Sequence, residues 1–257
     1  MESRIEIRNS FKLLVLGSML TLVLWFIPYA EIITYPIRLF VTFIHEAGHA
    51  LAALLTLGRV HLIAIFWNGD GLTILAGGSG FLISSAGYLS TTAYGAVLLL
   101  LLRRARFAKI AALGTGILLL LLTVFFGGNL GAWVTGLLAG GGCLFLALKA
   151  KPKVTHFLMS FLAVQSLLNA FYDLITLMYL SVYQPSSSTD AQNMAAATGG
   201  FVPAVIWAIG WSIISIAILA ATLWTYYKSL NRRAPAEDIN LYGFITEGSQ
   251  SANDRRV

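Results

Sequence analysis

The chain alternates long apolar runs with short polar breaks. Seven runs, at 11–29, 36–57, 79–102, 107–126, 130–148, 155–181 and 200–227, are each long enough to cross a bilayer. This pattern predicts an all-α polytopic membrane protein of six to seven transmembrane helices, forming one domain over residues 1–230. The run at 11–29 has the length of a span rather than of a signal peptide core, and reads as a retained anchor. Gly127-Gly128-Asn129 joins two runs so tightly that the pair also reads as a helical hairpin short of a full crossing. The segment 231–257 is polar and reads as a disordered tail.

One stretch breaks the helical pattern. Val60–Trp67 and Leu72–Ala76 are apolar and β-branched, and Asn68-Gly69-Asp70-Gly71 lies between them. Asn-Gly and Asp-Gly between such runs are strong turn signals, so a small membrane-associated β-hairpin is expected at 60–76. Ile63 and Ile74 are its expected outward-facing backbone positions.

Composition narrows the class. Residues are 58% hydrophobic and 11% charged, against about a quarter charged in soluble domains. The net charge of +6 gathers in short loops beside the spans, where anionic headgroups are neighbours, so it is no nucleic-acid signal. Arg103, Arg104, Arg106 and Lys109, then Lys149, Lys151 and Lys153, then Lys228, Arg232 and Arg233 share one side of a seven-span chain. The positive-inside rule makes that side cytoplasmic and the N-terminus external. The single cysteine, Cys143, reads as a small buried hydrophobe.

The chemistry centres on His45-Glu46-Ala47-Gly48-His49, inside the second apolar run. Residues i and i+4 share a helix face, so the two imidazoles can reach one metal ion, with Glu46 beside them as general base to a water. An ionisable group at a helix centre costs about 2.5–3.5 kcal/mol on insertion scales, which makes a purely structural role hard to sustain for three together. A catalytic zinc site usually takes a third protein ligand. Asp173 is the only other acid deep in a span, and lies eight residues before Ser181, as His49 lies eight before Leu57. Both are then about 12 Å from one exit face. Gln165, Asn169 and Asp173, at i, i+4 and i+8, form a polar stripe. Asn169 suits either a donor to a developing oxyanion or a helix–helix hydrogen bond. Asp70 and His61 are alternative ligands in the hairpin, His156 starts its span at the opposite end from Asp173, and Asp190 reads as a helix cap. Gly48, Ala50, Ala52 and Ala53 leave room for close helix packing or a narrow water channel.

Phe43–Ala50, Ser84-Ser85-Ala86-Gly87-Tyr88-Leu89 and Asn169–Asp173 resemble the site-2 protease family of intramembrane zinc metallopeptidases, in its compact membrane-peptidase-like branch. The likeness covers most of residues 36–227. It implies Zn2+ held by His45, His49 and Asp173, Glu46 as base, membrane-protein substrates cut in or near their helices, and a hairpin that holds them. It also implies a metal-motif helix running inward. The chain departs from the family pattern around Asp173, which lacks the usual Leu-Asp-Gly and the prolines before it. A non-catalytic metal-binding scaffold or chaperone is the rival class. A transporter is disfavoured, because no second half repeats the polar stripe.

Overall fold

A computed structural model of the chain describes residues 31–231, together with Lys12, residues 15–21, 23–24 and Ile27. Most of the anchor expected at 11–29 and the whole tail from 232 lie outside the described residues. The elements are α1 (Glu31–Leu55), β1 (Arg59–Ile65), β2 (Gly71–Ala76), α2 (Gly80–Leu101), α3 (Ala108–Phe126), α4 (Leu130–Leu148), α5 (Pro152–Tyr183), α6 (Asp190–Ala197) and α7 (Ala204–Asn231). Among the described residues, six helices are long and apolar enough to cross a membrane, α6 being the short exception. The protein is a multi-pass integral membrane protein with one small antiparallel sheet. With successive spans alternating in direction, the basic residues after α2 and α4 and near the end of α7 share one face.

Helix starts are set by local chemistry. The Asn129 side chain accepts from Ala132 N at 2.8 Å and opens α4, Thr189 accepts from Gln192 N and opens α6, and Pro152 supplies the first residue of α5. Small residues let the helices close. A side-chain carbon on Gly48 would collide with Ser90 of α2, so glycine is what permits this approach. At the centre, Phe43, Ile44 and Ala47 of α1 pack with Ile63 and Ile65 of β1 and Leu119 and Leu122 of α3.

The hairpin lies within this bundle. It folds back along α1, so that its turn glycine, Gly69 at φ +93°, packs on the Arg38 guanidinium, and Thr42 Oγ1 donates to Gly69 O at 2.9 Å. Its two edges differ. On β1, Gly128 N donates to Ile63 O at 2.8 Å, Ile65 N donates to Asn129 Oδ1 at 3.1 Å, and Asn129 Nδ2 donates to Ile65 O at 2.9 Å. The α3–α4 connection therefore closes the outer edge of β1. Ile63 faces Thr73 and Ile65 faces Gly71 in the register. Facing residues in an antiparallel pair share one hydrogen-bonding sense, so the backbone groups of Gly71 and Thr73 point out from the opposite edge. Of the two expected outward positions, Ile63 does face outward, where its carbonyl serves the α3–α4 tip, but the backbone groups of Ile74, opposite Leu62, point into the sheet.

Candidate metal centre and active site

α1 presents Arg38, Thr42, His45, Glu46 and His49 to one cavity of about 610 Å³. β2 contributes Gly71 and Thr73, α2 contributes Ser84 and Tyr88, α5 contributes Asn169, Tyr172 and Asp173, and α6 contributes Asp190. A chamber within the bundle is where water and a polar site are tolerated at membrane depth.

His45 Nε2, His49 Nε2 and Asp190 Oδ2 converge. The carboxylate oxygen is 3.2 Å from the first nitrogen and 3.3 Å from the second. One donor atom from each residue lies within 4.8 Å of the others. The surroundings fix the ring directions. His49 Nδ1 is 2.7 Å from Ile83 O; with that nitrogen as the proton donor, the Nε2 lone pair faces the centre. The His45 ring meets Tyr88 edge-on at 4.6 Å between centroids, and Tyr88 stacks on Trp211. α2 comes close because residue 87 is glycine, where any side-chain carbon would collide with both imidazoles.

The site departs from the sequence expectation at one carboxylate. Asp173 lines the same cavity, but the carboxylate gathered against the histidines is Asp190. Nor is Asp190 the cap of its helix. Thr189 fills that role, and Asp190, one position on, has its side chain free to reach back. Burial pushes the Asp190 carboxyl up, but the charges and hydrogen bonds of His49 and His45 outweigh this and hold it well below the usual carboxylate range. The remaining candidates stand outside the donor cluster. The Asn169 amide donates to Gln165 O at 2.9 Å, while Gln165 leaves the stripe to bond Thr21. Asp70 lines the cavity and accepts from Asn68 Nδ2. His61 is exposed on β1, and His156 meets Leu102 O at 2.8 Å, away from the centre.

Two imidazole nitrogens and a carboxylate oxygen are a donor set that suits zinc, and all three residues line the cavity. Glu46 is 6% exposed and adjoins this centre without belonging to it, since its Oε2 accepts from Thr73 Oγ1 at 2.6 Å.

A multi-pass bundle with paired histidines, a carboxylate and a separate buried glutamate has the make-up of a membrane metallopeptidase. Comparison with family models agrees: the Peptidase M50B-like model matches residues 15–222, and the chain belongs to that family. No curated protein and no solved structure matches the chain.

Proposed function

We propose that this protein is a zinc-dependent peptidase that hydrolyses peptide bonds in or near the transmembrane segments of other membrane proteins. The observation that carries this reading is the convergence of His45, His49 and Asp190 beside Glu46, inside a chamber of a membrane bundle. His45, His49 and Asp190 would hold the ion, and Asp173 is a further carboxylate on the chamber wall. Zinc bound there supplies Lewis acidity toward a carbonyl oxygen and toward water. Glu46 takes the proton of the attacking water on a carboxylate oxygen and returns it to the leaving amine. Asn169 has one amide proton committed to Gln165 O, and the other is the candidate donor to the carbonyl oxygen as charge develops.

A helical substrate conceals its peptide bonds, because every backbone group is paired within the helix. The substrate must be extended at the site, and its freed backbone groups need partners. The open edge of β2 lines the cavity and offers them at Gly71 and Thr73 by strand addition. The test is the metal content of detergent-purified protein, paired with cleavage of a synthetic single-span peptide and with Glu46→Gln as control. Zinc with cleavage that Glu46→Gln abolishes is expected. Full zinc with no cleavage would transfer the chain to the scaffold class.

A further inference from the structure

The Glu46 carboxylate is held by the hairpin rather than by its own helix. Thr73 Oγ1 donates to Glu46 Oε2 at 2.6 Å and also lies 3.3 Å from the Glu46 carbonyl oxygen. Two residues earlier on β2, Gly71 packs against the same side chain. An added carbon there would collide with Oε1 and lie 2.6 Å from Cγ. Positions two apart in a strand share a face, so one face of β2 clasps one glutamate. Among the described residues, Thr73 is the one side chain that donates a hydrogen bond to this carboxylate. An unrestrained glutamate has several rotamers available, and fixing one costs side-chain entropy. A threonine hydroxyl suits the restraint, because it donates without competing as a base and its branched stem favours a strand.

We infer that Thr73 is a positioning residue for Glu46, and that it links base orientation to substrate docking. Its hydroxyl fixes the carboxylate while its backbone N–H and C=O, on the open edge of β2, receive the substrate strand. The inference rests on the peptidase reading above and adds to it a coupling within one residue. Substrate pairing that settles β2 also settles the base. Because the pairing uses backbone and the restraint uses side chain, the two separate by substitution. Losing the hydroxyl leaves substrate pairing intact and releases the base.

The experiment compares Thr73→Val, Thr73→Ala and Thr73→Ser with wild type and Glu46→Gln, using a quenched-fluorescence single-span peptide in detergent. Thr73→Val and Thr73→Ala are expected to keep their zinc and their KM and to lose about 10- to 100-fold in kcat, the scale of a reacting group misplaced by an ångström. Thr73→Ser should restore kcat. A second readout does not depend on turnover. The infrared carboxylate band that disappears in Glu46→Gln should shift in Thr73→Val and Thr73→Ala but not in Thr73→Ser, in metal-free protein as well. An unshifted band, or wild-type kcat in both hydroxyl-free variants beside an inactive Glu46→Gln, overturns the inference and leaves the peptidase reading standing. A raised KM with intact kcat also overturns it, reducing Thr73 to a substrate contact. A wild-type protein that cuts nothing defeats the peptidase reading, and the coupling with it, even where the band shift upholds the contact.

Discussion

Asp190 Oδ2 lies 3.2 Å from His45 Nε2 although 145 residues separate them in the chain. A short helix that crosses nothing carries the carboxylate to a histidine in the middle of a span. Asp190→Ala should therefore abolish stoichiometric zinc binding, while Asp173→Ala should retain it. Metal analysis of the two purified variants checks this, and the opposite ranking would restore Asp173 as the third ligand.

Glu46 stands beside the donor cluster and is bonded to Thr73 instead. Glu46→Gln is expected to keep its zinc and to lower peptide hydrolysis by several orders of magnitude, since the proposed mechanism routes both proton transfers through it. Zinc content and cleavage rate are measured on the same preparation. Wild-type hydrolysis by this variant would remove Glu46 from the mechanism.

Gly87 is the gap through which α2 meets both imidazoles. Gly87→Ala places a methyl where His45 Nε2 and His49 Nε2 converge, so the rings or the helix must move. The expected result is a loss of zinc affinity of 10-fold or more, on the order of that seen when ligand orientation is disturbed. Competition with a chelator of known affinity measures it. Gly114, around which an added carbon meets nothing within 4 Å, provides the control as Gly114→Ala.

The two edges of the hairpin give opposite expectations for proline. The Ile74 N–H points into the sheet, so Ile74→Pro should break the pairing with β1 and lower thermal stability. Along β2 the outward sense alternates through Gly71, Thr73 and Leu75. Leu75→Pro should keep the fold and zinc while raising KM for the single-span peptide. Equal KM for Leu75→Pro and wild type would argue against strand addition on this edge.

Asn129 bonds Ile65 N, Ile65 O and Ala132 N at once. Asn129→Ala orphans two strand groups and uncaps α4, and an unsatisfied buried group costs roughly 1–3 kcal/mol. The melting temperature in detergent should fall clearly, and fall less for Asn129→Asp, which keeps the acceptor. A melting temperature unchanged by alanine would mean that β1 is not held by this contact.

The legible parts of the fold are those encoded in neighbouring residues. His45 and His49 declare a shared helix face by their spacing, the Asn-Gly-Asp-Gly run declares a turn, and the apolar runs declare the spans. Asp190 was illegible for a physical reason. Its Ser- and Thr-rich approach looks like that of any exposed helix start, and what folds it inward is the burial of Ala191, Met194 and Ala195 against Leu174, Leu177, Ala208 and Trp211. Such packing is set by distant elements. Asp173, by contrast, sits deep in a helix and attracts notice, yet depth alone does not say which carboxylate meets the histidines. The blocked outer edge of β1 was hidden likewise, because it depends on where the α3–α4 tip lands.

The wide separation of His45 and His49 from Asp190 along the chain also bears on biosynthesis. The motif helix is made early, with both imidazoles and Glu46 already in place. The carboxylate arrives only after α5 has been threaded into the membrane and α6 has turned back. A nascent chain at any earlier stage holds an incomplete donor set, so the His45, His49 and Asp190 cluster comes together only near the end of synthesis.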